Sequence, residues 1–114
     1  RLELPERLPI DEVDLCMMLG NLLENALRAV CALPIGQRTV TVISSMISDA
    51  MLGLSVENGF VGDVVFGRDG LPVARKRGHG IGLPSVAATV KRYNGTLSVT
   101  AKDGTFGVNI LLSL

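Results

Sequence analysis

The sequence predicts an α+β fold, a two-layer sandwich in which helices cover one face of a mixed, mostly antiparallel sheet. The first observation is the order of the predicted elements, which is helix, two strands, long loop, helix, two strands. Paired strands joined by short turns favour antiparallel pairing. The second observation is composition, because 47% apolar and 19% charged residues exclude a disordered chain. A length of 114 residues suits one domain, so we expect a single domain over residues 1–114.

The first predicted helix begins at Asp11, whose side chain can cap it, and runs to about Leu33. Acidic residues in the first turn suit the helix dipole, and Pro34 with Gly36 ends the helix. Apolar residues recur at spacings of three and four and predict one buried face: Leu15, Leu19, Leu22, Ala26, Val30 and Leu33.

Two hairpins are predicted from alternating or β-branched runs. The first pairs Thr39–Ser44 with Leu52–Val56 and turns near Ser48-Asp49. The second pairs Thr96–Ala101 with Thr105–Leu112 around residues 102–104. Between the hairpins lie a glycine-rich loop, residues 59–82, and a second helix.

The second helix is predicted over Leu83–Asn94. Pro84 stands near its first turn and Gly95 just past its end, which is the usual asymmetry of helix termini.

The charge balance and the aromatic content argue against nucleic acid as a partner. Lys+Arg and Asp+Glu number 11 each, and the chain has one Tyr, three Phe and no Trp for stacking bases. No apolar run approaches the roughly 20 residues that span a bilayer, so we expect a domain that is not membrane-embedded. The first residues, Arg1–Leu4, are typical of the end of a strand, which suggests a fragment of a longer protein.

The two cysteines, Cys16 and Cys31, fall on one predicted helix, about 22 Å apart. A disulfide needs α-carbons within about 7 Å, so these two residues do not pair with each other. Free thiols fit the cytoplasm, and small core residues are the simplest interpretation of both.

Asn21, Asn25 and Arg28 lie at i, i+4 and i+7 on the first helix and form one polar stripe. Two interpretations are equally open for the stripe alone, a solvated face or a ligand site. Asparagine is a mediocre helix former, and its amide oxygen is a hard ligand that suits Mg²⁺. Arg28, about one turn beyond Asn25, can reach a phosphate.

Gly78-His79-Gly80-Ile81-Gly82 runs directly into the second helix. Such glycines let backbone N–H groups close on an anion at the positive end of a helix. The segment is no Walker loop, because no Gly-Lys-Ser/Thr follows, and it lacks the strand and third glycine of the dinucleotide fingerprint. Alone, this segment is weak evidence for a phosphate-binding loop. Its occurrence together with the asparagine stripe makes that evidence stronger.

Together these motifs resemble the GHKL ATP-binding superfamily. Asn21–Ala26 is similar to its N-box, Gly78–Leu83 to its second glycine box, and Gly104-Thr105-Phe106 to the pattern of its kinases. The resemblance covers nearly the whole chain in the right order. It implies the Bergerat fold with ATP and Mg²⁺ as ligands, and within the superfamily it points to quorum-sensing and citrate-type sensor histidine kinases.

The resemblance also implies a set of site residues. Asn25 would be the metal ligand, and Asn21 would support the metal or phosphate through water, which makes these two the catalytic pair. The remaining residues expected to bind nucleotide are Arg28, Asn58, Gly78, Gly80, Ile81, Gly82, Leu83 and Thr105. The loop 59–77 would be the lid, and its basic cluster Arg75-Lys76-Arg77 is assigned no role.

The first glycine box departs from the superfamily pattern and reads Val56-Glu57-Asn58-Gly59-Phe60. Asn58 takes the place of the aspartate that usually accepts a hydrogen bond from adenine. Phe60 replaces a glycine. Adenine recognition is therefore the altered part of the site.

Asn21 takes the place where hydrolysing members carry a general-base glutamate. An amide cannot accept that proton, so efficient hydrolysis of ATP is not expected. Kinases of the superfamily commonly carry Asn in this place, so the resemblance implies phosphoryl transfer to a protein histidine rather than to water. The only histidine, His79, lies in the glycine segment without an acidic neighbour, so we expect the acceptor elsewhere.

The resulting expectation is the Mg-ATP-binding catalytic domain of a sensor histidine kinase. Its partners would be the histidine-bearing dimerisation helices of the parent protein and a response regulator. It would be a cytoplasmic, soluble domain of a membrane-bound receptor kinase. Two alternatives stay open, a GHKL nucleotide-binding module that regulates or docks a partner, and a serine kinase of the anti-sigma type.

Overall fold

A computed structural model describes residues 10–62, 64–72 and 82–113 of the chain. The helices are α1 at Glu12–Val30 and α2 at Gly82–Arg92, and a short 3₁₀ turn lies at Ile35–Gln37. The strands are β1 at Val40–Ser48, β2 at Met51–Gly59, β3 at Thr96–Lys102 and β4 at Thr105–Ser113.

The four strands form one sheet in the order β1-β2-β4-β3, and every pairing is antiparallel. Both helices pack on one face of this sheet, so the predicted α+β sandwich is confirmed. The sheet is wholly antiparallel over the described residues, where the sequence predicted a mixed one. The core lies between the layers and is built from both helices and the two central strands; it includes Met18, Leu22, Ala26, Leu52, Leu54, Val56, Val86, Val90, Val108, Ile110 and Leu112.

Helix α1 ends at Val30, one turn before the predicted end near Leu33. The backbone tightens there, since Ala32 N–H donates to the Ala29 carbonyl and Leu33 N–H to the Val30 carbonyl. Leu33 is buried, and its Cδ1 lies 3.0 Å from the place that a Cβ on Gly59 would take. Tertiary packing of Leu33 at the end of β2 therefore replaces the last predicted helical turn.

Helix α2 ends at Arg92, and Asn94 adopts the left-handed conformation with φ 55°. Gly95 is needed for a different reason. A Cβ at Gly95 would lie 2.4 Å from the Leu111 carbonyl oxygen, so only glycine lets this turn meet β4.

The predicted hairpins are confirmed, with longer strands than the patterns suggested. The turn of the second hairpin contains Asp103 at φ 54° and Gly104 at φ 76°, both left-handed, as two-residue hairpin turns require. In the predicted lid, Gly67–Leu71 form a turn in which Gly67 N–H donates to the Leu71 carbonyl at 2.8 Å. The basic cluster Arg75-Lys76-Arg77 lies outside the described residues.

A polar cluster ties the start of α1 to the end of α2. The Tyr93 hydroxyl donates to Asp14 Oδ2 at 2.5 Å, and Arg92 Nη2 lies 3.1 Å from Asp14 Oδ1. The backbone N–H of Asp11 donates to the Tyr93 oxygen at 3.1 Å. The cluster fixes where α2 ends against α1 and thereby helps to set the two helices side by side.

Candidate functional site

The polar stripe of α1 lies on the flank of the helix, beside its buried face. The buried residues of α1 are Met18, Leu22, Ala26 and Val30, and Asn21 and Asn25 are half-buried next to them. Within the described part of the chain, neither asparagine side chain makes a hydrogen bond. Two half-buried carboxamides that have no hydrogen-bond partner among the described residues can offer their oxygens to a ligand, and amide oxygens are ligands that suit Mg²⁺.

Arg28 is exposed and pairs with Glu24 one turn earlier, at 2.6 Å between Nη2 and Oε1. The side chains are 52% and 60% exposed, and such surface pairs contribute little stability. The guanidinium is therefore free to change partner at small cost. Its expected contact with a phosphate stays a prediction.

The start of α2 lies directly against this stripe. A Cβ placed on Gly82 would lie 3.2 Å from Asn21 Cβ and 3.5 Å from Asn21 Oδ1. The approach to Asn21 Cβ is tighter than ordinary van der Waals contact, so a side chain at Gly82 would require Asn21 to shift by a few tenths of an ångström. The first N–H groups of a helix are unpaired and carry partial positive charge. The fold thus places the Asn21 side chain of one helix beside the N-terminal end of the other, which attracts anions.

Other residues of the glycine segment, Gly78, His79, Gly80 and Ile81, lie outside the described residues. Leu83 is described and is only 3% exposed, with its side chain in the core. Any contribution of Leu83 to a ligand therefore comes from its backbone.

Asn58 lies near the end of β2 and faces the helices. It follows Leu52, Leu54 and Val56 in the same buried row and is itself 3% exposed. Its Nδ2 donates to the Gly59 carbonyl at 2.9 Å, which leaves Oδ1 as the acceptor for a ligand. Glu57 is exposed on the opposite face, as strand alternation requires. The register therefore aims the carboxamide, and not the carboxylate, toward the helix layer.

Thr105 begins β4 and is exposed, opposite Gly59 in the sheet register. The next residue, Phe106, lies opposite Asn58. The predicted Thr105 and Asn58 thus come from neighbouring strands at one end of the sheet.

Phe60 follows directly after β2, and the sequence analysis treated it only as the replacement of a glycine. Its ring packs edge-on against Phe106, with centroids 6.3 Å apart and planes at 75°. Its N–H donates to the Gly104 carbonyl at 3.0 Å, which holds it beside β4. An aromatic pair therefore lies next to the buried carboxamide of Asn58. The alternating pattern of β4 places Phe106 on the helix face, but it does not indicate that Phe60 packs against it.

The donor set fits magnesium better than a transition metal. No group of three or more His, Cys, Asp or Glu that could hold a metal lies within the described residues. Mg²⁺ needs no such group, because it takes one or two protein oxygens and completes its shell with phosphate and water. Asn25 and Asn21 match that requirement.

In the described segments, no helix is long and apolar enough to cross a bilayer. Both cysteines are free and exposed, so the interpretation of Cys16 and Cys31 as small core residues is wrong.

Similar solved structures include histidine kinases. The mycobacterial sensor histidine kinase MprB aligns with a TM-score of 0.70 and 20% identity, over 93% of this chain and 76% of that one. The histidine kinase domain of the blue-light activated kinase EL346 from Erythrobacter litoralis aligns with a TM-score of 0.66 and 23% identity, over 89% of this chain and 43% of that one. Full-length ShkA in complex with AMPPNP aligns with a TM-score of 0.63 and 20% identity, over 91% of this chain and 23% of that one. At these identities the likeness shows the fold that this chain shares with kinase catalytic domains.

No curated protein sequence matches the chain. A family profile does, over residues 10–113, and its description is GHKL domain. The matched range includes the polar stripe of α1, the glycine segment and both hairpins. The chain belongs to the GHKL domain family.

Proposed function

We propose that this chain is the Mg-ATP-binding catalytic domain of a sensor histidine kinase of the quorum-sensing and citrate-sensor type. The observation that carries the proposal is the contact between Gly82, at the start of α2, and Asn21 on the polar stripe. Membership of the GHKL family and the shared fold with histidine kinases support it.

Each residue has a defined role in this proposal. The Asn25 amide oxygen binds Mg²⁺, and Asn21 holds a water on the metal or the phosphate. Backbone N–H groups of the glycine segment, with Gly78, Gly80 and Gly82, bind the phosphates. Asn58 reads adenine, while Thr105 and Arg28 contact the nucleotide from the edges of the site.

The protein contributes binding and orientation and performs no covalent chemistry itself. A bound Mg²⁺ supplies neutralisation of the phosphate charge. Asn21 offers an amide where proton abstraction from water would need a carboxylate, so water is positioned without being activated. The γ-phosphoryl group is thereby kept for a histidine on the dimerisation helices of the parent protein, and the response regulator receives it afterwards. In this proposal the domain works in the cytoplasm.

One observation favours a second candidate, a GHKL module that binds nucleotide only as a regulatory ligand. Asn58 and Phe60 replace the usual aspartate and glycine, and Phe60 packs against Phe106. If that packing closed the base pocket, the domain would act by docking a partner. Measurable Mg-dependent ATP binding together with transfer to a histidine-bearing helical hairpin separates the kinase from this module.

The proposal is tested by the substitution Asn25→Ala. We expect it to weaken Mg-dependent ATP binding by about tenfold or more, since it removes the protein ligand of the metal. The fold should stay intact, because Asn25 lies on the half-buried flank of α1 and not in the core. Calorimetric titration with ATP, with and without Mg²⁺, gives the affinities, and circular dichroism checks the fold.

The matched control is Asn109→Ala, an exposed asparagine of β4 whose Oδ1 accepts from the Ser55 hydroxyl. Asn109 alternates with the buried residues of β4 and lies away from the helices. Its replacement should leave the ATP affinity unchanged. Equal affinities for wild type and Asn25→Ala in the presence of Mg²⁺ would remove Asn25 from the site.

A further inference from the structure

One ring of the aromatic pair Phe60–Phe106 has surface left for a ligand. Phe106 is only 7% exposed and belongs to the core, whereas Phe60 is half-buried and packs against that core from outside. The two ring planes stand at 75° to each other, so an edge of one ring meets a face of the other. In either orientation, Phe106 leaves at least one face of the Phe60 ring uncovered.

Phe60 lies on the same side of the sheet as Asn58. The buried row of β2 ends in Val56 and Asn58, and side chains two residues apart on a strand share a face. The Phe60 N–H donates to the Gly104 carbonyl at 3.0 Å, so the pairing with β4 and its turn continues one residue past Gly59 and carries the alternation with it. At about 3.3 Å per residue, the side chains of Asn58 and Phe60 start about 7 Å apart on this face.

A base whose amino group donates to Asn58 Oδ1 therefore brings its ring system to Phe60. Stacking on an aromatic side chain is open to every base, and it grows with the ring area, which is larger in purines. It makes no use of the groups that distinguish adenine from guanine. We propose that Phe60, backed by Phe106, stacks on the base of the bound nucleotide and selects purine over pyrimidine nucleotides without separating ATP from GTP. This role rests on the proposed function, because it needs a nucleotide base at Asn58.

The opposite role for Phe60 would be to fill the space of the base and close the pocket. The two roles predict changes of opposite sign. Removal of a ring that stacks on the base weakens ATP binding by about tenfold, which is the usual effect of losing one base–aromatic contact. Removal of a ring that fills the pocket opens the site and tightens ATP binding. The sign of the change therefore decides between them.

Calorimetric titration of the whole chain with Mg-ATP, Mg-GTP, Mg-CTP and magnesium tripolyphosphate tests the stacking role. Wild type should bind ATP and GTP more tightly than CTP. Phe60→Ala and Phe60→Leu should each weaken ATP and GTP by the same factor, about tenfold, because both variants lack the ring. Tripolyphosphate has no base, so its affinity should be unchanged, which also shows that the phosphate site of the variants is intact.

The matched control is Ile43→Ala. Ile43 is 42% exposed and lies opposite Ser55 in the register of β1 and β2. Ser55 alternates with the buried row of β2, so both side chains lie on the sheet face away from the helices. This variant also loses a partly exposed apolar side chain, and all its affinities should equal those of wild type. Circular dichroism of each variant checks the fold.

A spectroscopic test uses the absence of tryptophan from the sequence. Phe60→Trp introduces a single indole at the proposed contact, and indole keeps the ability to stack. ATP and GTP should both quench its emission, whereas tripolyphosphate should not, because the quenching requires a base on the ring.

Two results would overturn the stacking role alone. The first is Mg-ATP binding that Phe60→Ala leaves unchanged or tightens. The second is an indole emission in Phe60→Trp that responds to tripolyphosphate as strongly as to ATP. A wild-type chain that binds no Mg-ATP would instead overturn the proposed function, and the stacking role with it.

Discussion

At the scale of single residues, the proposed function assigns the reading of the base to Asn58. Its Nδ2 donates to the Gly59 carbonyl, which leaves Oδ1 to accept from the amino group of adenine. To present Nδ2 to the carbonyl of guanine in the place of Oδ1, the carboxamide has to flip, which gives up that hydrogen bond at about 0.5–1.5 kcal/mol. An aspartate in this place would only accept, and a bond to a charged group contributes about 1.5–3 kcal/mol.

We therefore predict that the domain binds ATP weakly and prefers it to GTP by only about tenfold. Asn58→Asp should tighten ATP binding and widen the gap. Competition binding of the two nucleotides to wild type and variant measures both effects. Glu57→Gln is the control, because Glu57 faces away from the helices, and loss of ATP preference in that variant would show that Asn58 is the wrong reader.

Sequence patterns predicted the direction of Asn58 only in part. The pattern left open a shift by one residue, which would have aimed Glu57 at the base. The register settles this point, because the buried row Leu52, Leu54, Val56 continues to Asn58. Phe60 was not predicted as a partner of Phe106, since their contact joins the residue after β2 to a strand of the other hairpin. No periodicity within one strand reports such a contact.

At the scale of elements, the Tyr93–Asp14 hydrogen bond joins the two helices and responds to pH. The bond from Tyr93 holds the pKa of Asp14 below its ordinary value, and Arg92 acts in the same direction while partial burial opposes it. The bond to Asp14 raises the pKa of Tyr93, and the N–H of Asp11 opposes that shift.

The two shifts bound the pH range in which the bond stabilises the fold. Because folding lowers the pKa of Asp14, its carboxylate stabilises the fold at pH values above its pKa in the unfolded state. This stabilisation is lost as the pH falls through its pKa in the folded state. Because folding raises the pKa of Tyr93, its protonated phenol stabilises the fold at pH values below its pKa in the unfolded state. This stabilisation is lost as the pH rises through its pKa in the folded state. The contribution is therefore complete between the unfolded pKa of Asp14 and that of Tyr93.

Tyr93→Phe should lower the thermal midpoint at neutral pH. The difference from wild type should shrink in strong acid and in strong base. Thermal unfolding followed by circular dichroism across pH measures this, with Asp14→Asn as a second way to weaken the bond. A difference between wild type and Tyr93→Phe that is constant with pH would contradict the assignment.

Element types were predictable from the sequence, and element ends were less so. The alternation in β4 and the apolar spacing in α1 gave both elements. The end of α1 was missed, because burial of Leu33 against Gly59 depends on a strand far along the chain. Gly95 was identified as a helix terminator, yet the left-handed residue is Asn94 and Gly95 serves a close approach to Leu111.

At the scale of the whole molecule, the described fold resembles kinase catalytic domains while the chain offers one histidine, His79. We predict that the domain alone neither labels itself nor hydrolyses ATP quickly, since Asn21 cannot act as the base and His79 lacks an acidic neighbour. Incubation with γ-labelled ATP should give unlabelled protein and little free phosphate. A matched reaction with added histidine-bearing helices should show label on those helices. Label on His79 would refute the interpretation of that residue.

The sheet order β1-β2-β4-β3 has a consequence for how the chain folds. Each outer pairing is a local hairpin, whereas the central pairing of β2 with β4 joins residues from the two halves of the sequence, such as Asn58 and Phe106. Local hairpins form quickly and pairings between distant residues form slowly, so the pairing of β2 with β4 should form last. Asn21 and Asn58 belong to the first half of the chain, and Gly82 and Thr105 belong to the second half. The candidate site therefore forms only when β2 pairs with β4. A bound nucleotide should slow the separation of β2 from β4 more than it slows the fraying of either hairpin.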